Sequence, residues 1–250
     1  MTLYAPSRLD TLPLFHLNRV TTEEERTYET PAGIARSVTT VLDRTGDSTK
    51  LAEWRESIGE ARAKQIRAMA AYRGEQTHQA IENYLLTGTE PAFSFLTTPY
   101  WNSIKEFVYR IDAPLIMEAP VWYNDETPPE GDPLVATLSE DENKPKFLYA
   151  GTLDCLAYLN ASDTQPTLID WKTADKPLKP WKVYNYSLQL AAYWKAANYV
   201  YGSHGLHVTR AMITVAMPDE PAQFHILEEE ELEQLYLHFL GRLQHFIYSR

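Results

Sequence analysis

The chain has 250 residues, of which 44% are apolar and 23% are charged. This composition is typical of a globular protein with a sizeable core, and it excludes a disordered or collagen-like chain. No apolar run approaches the roughly 20 residues that a membrane-spanning helix needs, so a membrane span is not expected. The net charge of −11 argues against a protein that coats nucleic acid by bulk attraction, although a local basic groove is compatible with it.

Two features indicate a reducing, cytoplasmic environment. The first thirty residues lack the basic and apolar series of a secretory signal or transit peptide, and they contain several acidic residues. Cys155 is the single cysteine, so no internal disulfide can form and no Cys-x-x-Cys pair can hold zinc or an iron–sulfur cluster. We therefore expect a cytoplasmic protein.

Charge is segregated along the chain. Basic residues outnumber acidic ones over residues 36–73 and 170–195, whereas residues 118–142 and 219–233 are strongly acidic. Such runs are most often solvated faces. The two basic stretches could instead line one groove if they meet in space, and the sequence alone leaves both interpretations open.

The first half of the chain is predicted to be helical. Apolar residues at three- and four-residue spacing predict helices over residues 49–69, 74–86 and 99–111. Gly88 follows the second of them, at a position where glycine commonly ends a helix. Residues 1–36 show no pattern that assigns them to an element.

The second half alternates between strands and helices. Residues 146–159 and 167–172 are apolar on both faces, which predicts strands buried in a sheet that helices cover. The Pro-, Gly- and acid-rich residues 124–145 predict a long loop or a hairpin excursion. We therefore expect an α/β fold with a central mixed β-sheet flanked by helices. Further strands are predicted over 114–123, 207–216 and 223–227, and further helices over 183–201 and 228–248.

Two carboxylates and a lysine fall on the two central strands. Asp154 is followed sixteen residues later by Asp170-Trp171-Lys172. Alternate residues of a strand share a face, so Asp170 and Lys172 should project together, away from Trp171. Mg²⁺ prefers carboxylate oxygens together with water and substrate phosphate, and a nearby lysine can stabilise the negative charge of phosphoryl transfer. An ordinary Asp–Lys ion pair at a strand end explains the same triplet.

Five short motifs occur in an order that is typical of one nuclease superfamily. Asp154, Asp170-Trp-Lys172 and Gln189-x-x-x-Tyr193 together resemble the PD-(D/E)xK superfamily, in particular its RecB-type exonucleases. The chain is most similar to the mitochondrial genome maintenance exonuclease family and its bacterial and phage relatives. The matching segments are Ser37-Val-Thr-Thr-Val-Leu42, Arg73-Gly-Glu-Gln-Thr-His78, Tyr149-Ala-Gly-Thr-Leu-Asp154, Ile169-Asp-Trp-Lys-Thr173 and Gln189-Leu-Ala-Ala-Tyr193.

The resemblance implies a metal site with a catalytic lysine. Asp154 and Asp170 match the family's metal-ligating carboxylates. The resemblance also implies that both residues are catalytic. The backbone carbonyl of Trp171 matches a further metal ligand, and Lys172 matches the catalytic lysine.

Two further metal ligands are implied less directly. His78 matches a histidine that completes the metal shell in RecB-type nucleases. A core histidine is the alternative, because Ile81 and Leu85 share its apolar stripe. Glu118 lies where some relatives carry an acidic residue on the first strand of the core.

DNA contacts are expected from the same motifs and from the basic stretches. Gln189 and Tyr193 lie one helical turn apart, so both can face the site, and the alternative is an amphipathic helix with a buried tyrosine. Helix capping and ordinary surface charge are the alternatives for the other candidates. These other candidates are Ser37, Thr39, Arg67, Arg73 and Lys176.

The combined prediction is a single nuclease domain. It consists of an N-terminal extension over 1–36, a helical DNA-binding region over 37–112 and a catalytic α/β core over 113–250. The resemblance implies a Mg²⁺- or Mn²⁺-dependent DNA exonuclease. The negative net charge and the acidic clusters argue against a duplex, and a narrow channel lined by the two basic stretches would take a single strand with a free end. We expect the protein in the cytoplasm of a bacterial or phage-infected cell. With one cysteine, no iron–sulfur cluster is expected. The alternatives are an endonuclease on the same fold and a non-catalytic nucleic-acid-binding subunit.

Overall fold

A computed structural model describes residues 12–22, 25–46, 49–90, 92, 94–125 and 147–249 of the chain. Most of the loop that the sequence predicts over 124–145 therefore lies outside the described residues. The described part is a mixed α/β fold in which helices flank an eight-stranded sheet. The predicted fold class is confirmed.

The sheet combines parallel and antiparallel pairs. Its strand order is β1-β2-β3-β5-β6-β7-β8, and β4 pairs with β5 beside this path. The β3–β5 and β6–β7 pairs are parallel, and the others are antiparallel. The strands are β1 (Asn18–Thr21), β2 (Arg26–Thr30), β3 (Gly33–Ser37), β4 (Ala113–Asn124), β5 (Leu148–Tyr158), β6 (Thr167–Thr173), β7 (Arg210–Ala216) and β8 (Gln223–Glu228).

Helices cover both faces of the sheet. α1, α5 and α6 contribute to the hydrophobic cluster on one face, whereas α3 and α4 contribute to the cluster on the other. No described helix is both long enough and apolar enough to cross a membrane. The helices are α1 (Val38–Thr45), α2 (Thr49–Ile58), α3 (Glu60–Thr87), α4 (Thr98–Val108), α5 (Pro180–Tyr201) and α6 (Glu229–Tyr248).

The pairing of β5 divides the sheet at its centre. One edge of β5 is occupied along its whole length by β4. The other edge pairs with β3 at Tyr149 and Ala150, and with β6 over Cys155–Ala157. Residues 151–154 of that edge pair with neither strand, because the pairing with β3 stops at Ala150 and the pairing with β6 covers only Cys155–Ala157. This interval is called the β5–β6 opening below.

The N-terminal region begins with strands. Residues 18–37 form β1, β2 and β3, to which the sequence analysis assigned no element. A local signal exists, because Pro31-Ala-Gly33 is a turn sequence and Gly33 has a φ of +119°. β1 is exposed at every position, so it lacks the alternating pattern that reveals a half-buried strand.

The boundary between the first two predicted helices lies at a different residue in the structure. The chain breaks at Gly59, which has a φ of +84°, and α3 then continues through the predicted gap at residues 70–73. Gly74 lies inside α3, where an added Cβ would meet Thr173 at an ordinary contact distance of 3.7 Å. Gly88 ends α3 in the left-handed conformation, as predicted. The remaining predicted elements agree with the structure to within about four residues at each end.

Tyr193 of α5 packs directly against β5. A Cβ atom added at Gly151 would lie 2.3 Å from Cε1 of Tyr193, so the absence of a side chain lets the ring lie on the strand. Tyr193 is buried, and its ring fills space beside the β5–β6 opening. The contact fixes how closely α5 approaches the sheet.

We expect Gly151→Ala to lower the free energy of unfolding by about 1–3 kcal/mol, because the Tyr193 ring must move. The matched control is Gly202→Ala, since an added Cβ meets nothing within 4 Å there and φ is −58°. Urea denaturation compares the two variants. Equal stability of both would contradict the close packing of Tyr193 on Gly151.

Candidate metal centre

The β5–β6 opening leaves the backbone of Trp171 without a partner on β5. Oδ2 of Asp154 fills this place and accepts a hydrogen bond from the backbone N–H of Trp171 at 2.8 Å. The carboxylate of Asp154 is thereby held between the two strands that have separated. A charged acceptor makes such a bond stronger than a neutral one, so the position of Asp154 is well defined.

His78 reaches the same place from α3. Its Nε2 lies 2.7 Å from the backbone carbonyl oxygen of Trp171. A carbonyl oxygen can only accept, so Nε2 carries the hydrogen and the lone pair of the neutral ring is on Nδ1. Nδ1 lies 3.7 Å from Oε1 of Glu118 and 3.7 Å from Oδ2 of Asp154. The Trp171 carbonyl thus orients the imidazole towards two carboxylates.

Glu118 reaches the cluster through an unusual backbone conformation. Its φ of +47° is in the left-handed region, which costs a residue other than glycine about 1–3 kcal/mol. The alternation of β4 changes at this point, because Met117 packs on one hydrophobic cluster and Ala119 belongs to the other. The strain therefore coincides with the place where Glu118 meets His78.

The three side chains form a set of possible metal ligands. One ligand atom each from His78, Glu118 and Asp154 lies within 4.8 Å of the others. Two carboxylates and an imidazole suit a divalent cation, and two of the three groups are fixed by hydrogen bonds to Trp171. These residues could hold a metal ion, and they are called the metal cluster below.

The charges of the cluster favour a cation. Burial lowers the pKa of His78, but Asp154 and Glu118 raise it by more, so the net pKa lies above the ordinary value. The carboxylates that attract a proton to the ring also attract a metal ion. A metal would displace that proton, because a histidine ligand must be neutral at the donating nitrogen.

Asp170 and Lys172 lie together on the α5 side of β6. Nζ of Lys172 is 2.5 Å from Oδ2 of Asp170, and Gln189 donates to Oδ1 at 3.3 Å. Burial raises the pKa of Asp170 to about 6, although Lys172 acts to lower it. Burial lowers the pKa of Lys172, but Asp170 and Asp154 raise it by more. Lys172 is therefore a charged group beside the metal cluster.

The predicted metal-site residues occupy two adjoining groups. His78, Glu118 and Asp154 meet in the metal cluster, whereas Asp170 pairs with Lys172. The Trp171 carbonyl accepts from His78 in this geometry instead of pointing freely at the cluster. The Asp–Lys ion pair that the sequence analysis considered as an alternative is present, and it borders the cluster.

Three of the predicted DNA-contact residues have structural partners. Ser37 is buried and caps α1 by accepting from the N–H of Thr40, and Thr39 is hydrogen-bonded to Ser37. Arg73 donates to Asp175 at 2.7 Å and stacks on the ring of Tyr100.

The other predicted DNA contacts differ in exposure. Tyr193 is buried against Gly151, and Gln189 donates a hydrogen bond to Asp170. Both residues therefore support the site from helix α5. Arg67 and Lys176 are exposed. The exposed pair is accessible to a phosphate group.

One residue near the site was missed in the sequence analysis. Tyr186 of α5 presents its ring to Lys172, with 4.9 Å between Nζ and the ring centroid. The available signal was the helical spacing, because Tyr186, Gln189 and Tyr193 recur every three or four residues on one face.

The proteins that resemble the chain are found among solved structures. No protein-family model matches the chain, and no curated protein does. Among solved structures, the chain is similar to SSO0001, with 12% identity over 89% of this chain and 78% of that chain and a TM-score of 0.40. It is also similar to a candidate exonuclease from Eubacterium rectale, with 10% identity over 71% of this chain and 66% of that chain and a TM-score of 0.41. Similarity at this level does not extend to function.

We expect Glu118→Gly to abolish metal binding without destabilising the metal-free protein. Glycine adopts a φ of +47° freely, so the free energy of unfolding should be unchanged or higher by up to about 1 kcal/mol. Calorimetric titration with Mn²⁺ measures binding, and urea denaturation without metal measures stability. Glu118→Gln should weaken Mn²⁺ binding by at least about tenfold.

Glu75→Gln is the control for both measurements, since Glu75 is exposed on the same helix as His78 and lies outside the metal cluster. Undiminished Mn²⁺ binding by Glu118→Gly would contradict the assignment of Glu118 as a ligand.

Proposed function

We propose that the chain is a divalent-metal-dependent deoxyribonuclease that degrades single-stranded DNA from a free end. The observation that carries the proposal is the position of Lys172, a charged and mostly buried lysine that follows Trp171, whose backbone bonds to His78 and Asp154 of the metal cluster. An imidazole, two carboxylates and an adjacent ammonium group match the requirements of phosphodiester hydrolysis. The motif resemblance supports the same reaction.

The proposed metal is Mg²⁺ or Mn²⁺, held by His78, Glu118 and Asp154. Such an ion supplies positive charge to a phosphodiester oxygen and lowers the pKa of a nearby water. The carboxylates suit both ions, whereas an imidazole ligand suits Mn²⁺ better than Mg²⁺. Mn²⁺ is therefore the better probe of binding.

The residues of the chain have distinct tasks in the reaction. A water oxygen forms a bond to phosphorus while the phosphorus–oxygen bond to the leaving sugar breaks, and the leaving oxygen takes up a proton. The water loses a proton in the same process. Lys172 stabilises the negative charge that develops on the phosphate, and Asp170 holds the lysine in place. The proposed products carry 5′-phosphates.

The surface near the site offers elements that suit a single strand. Arg67 and Lys176 are exposed, and they come from the two basic stretches of the sequence. Tyr72 and Trp181 are 48% and 43% exposed, which leaves ring faces available to bases. Base stacking contributes about 1–3 kcal/mol per base without sequence preference. A narrow basic path suits one strand better than it suits a duplex, which needs a broad basic face.

We expect Lys172→Met to lower the cleavage rate at least about a hundredfold and to leave binding to single-stranded DNA within about threefold. The Lys172 side chain supplies a positive charge at the reacting phosphate, so its loss should slow cleavage. It is only one of many positive charges that could contact the DNA strand, so its loss should change binding little. Cleavage is followed on an end-labelled oligonucleotide with Mn²⁺, and binding is measured by fluorescence anisotropy without metal.

Lys105→Met on α4 controls for the loss of a half-buried lysine. Because Asp170 loses its ion-pair partner in Lys172→Met, circular dichroism is used to check that this variant folds. Cleavage by Lys172→Met within tenfold of the wild type would remove Lys172 from its role.

We expect linear single-stranded DNA to be degraded, blunt duplex to be cut slowly and circular single strands to resist. Added salt should slow the reaction because phosphate contacts release counterions. A gel assay with 5′- and 3′-labelled linear substrates and with stained circular strands measures all three, and the end labels also give the polarity. Rapid cutting of circular single strands would identify an endonuclease, and binding without any cleavage would identify a non-catalytic subunit.

A further inference from the structure

Lys172 contacts one group of its own strand, β6, and one group of helix α5. Its Nζ lies 2.5 Å from Asp170 and 4.9 Å from the ring centroid of Tyr186, so an anion and an aromatic face both attract the ammonium group. The carboxylate of Asp170 is itself held by Gln189 of the same helix, α5. The contact between Tyr186 and Lys172 has no counterpart in the motif on which the proposed function draws.

A lysine needs more than one contact to be held in place. Its four-carbon stem rotates freely, and a single ion pair leaves the ammonium group several positions around the carboxylate. The face of an aromatic ring attracts a cation without offering a hydrogen-bond acceptor that would compete with a phosphate oxygen. The ring also replaces water around Nζ. Where water is excluded, the electrostatic attraction between the lysine and a substrate phosphate is stronger.

Helix α5 carries three residues that meet the sheet in sequence. Tyr193 packs on Gly151, Gln189 donates to Asp170, and Tyr186 covers Lys172. Because the Tyr193–Gly151 contact limits the distance of the helix from β5, it also limits the distance of the Tyr186 backbone from the sheet. Tyr186 is half-buried, so packing limits its own movement.

We propose that Tyr186 is a positioning residue whose ring face, and not its hydroxyl group, holds the ammonium group of Lys172 in the place where it meets the reacting phosphate. The proposal rests on the proposed nuclease function. It predicts that any residue with a similar ring can replace Tyr186, whereas an aliphatic residue of similar size cannot.

The test compares Tyr186→Phe with Tyr186→Leu and Tyr186→Met. In protein labelled with ¹³C at the lysine ε-position, the ring shifts the ε-methylene resonance of Lys172 upfield. That resonance is assigned by its loss in Lys172→Met. The upfield shift should persist in Tyr186→Phe and disappear in the two aliphatic variants. This measurement requires no nuclease activity.

The kinetic part of the test separates positioning from binding. We expect Tyr186→Leu and Tyr186→Met to lower kcat about tenfold with KM within about twofold, and Tyr186→Phe to keep both values within about twofold. Tyr184→Leu is the matched control, because Tyr184 lies on the same helix, is 44% exposed and contacts His238. Mn²⁺ affinity should be the same in all variants.

Each outcome is decisive. A loss of kcat in Tyr186→Phe as large as in Tyr186→Leu would assign the effect to the hydroxyl group and overturn the proposal. Wild-type kcat in both aliphatic variants, or no upfield shift in the wild-type protein, would also overturn it. If the wild type cleaves no DNA, the nuclease function fails, while the resonance of Lys172 still decides whether Tyr186 holds the lysine. Two aliphatic variants are used so that, if one of them does not fold, the other still tests the proposal.

Discussion

The separation of β6 from β5 beyond the Cys155–Ile169 pair is the feature on which the site depends. At this point β6 continues along β7, and its other edge is free of ladder hydrogen bonds. The N–H of Trp171 then bonds to Asp154, and its carbonyl bonds to His78. One peptide segment thus orients two groups of the metal cluster. The opening also brings together groups from both faces of the sheet, His78 from one side and Lys172 from the other.

The site concentrates unfavourable features in a small volume. Two carboxylates lie near each other in the metal cluster, Glu118 has a left-handed backbone, and the Asp170–Lys172 pair is mostly buried. Each of these lowers stability unless something compensates, and a divalent cation compensates the first of them directly. The packing of α5 supplies a rigid support, because Tyr193 fits closely over Gly151.

The sequence predicted the features that depend on local periodicity. Asp170 and Lys172 share a face because strand alternation alone places them so, and α5 and β6 are close to their predicted bounds. Features that depend on tertiary contacts could not be predicted from the sequence. The left-handed conformation of Glu118 has no local signal, and the pairing of Arg73 with Asp175 joins residues 102 positions apart. The short strand β1 is exposed at every position, and β2 and β3 bury too few residues to show an apolar pattern.

The central claim is that His78, Glu118 and Asp154 hold a divalent cation beside Lys172. Anomalous diffraction from a crystal soaked in Mn²⁺ tests it most directly, because the scattering locates the ion without reference to activity. We expect one strong peak about 2.0–2.4 Å from Nδ1 of His78 and from an oxygen of each carboxylate. A peak that lies away from Glu118 and His78, or the absence of any peak at the β5–β6 opening, would contradict it.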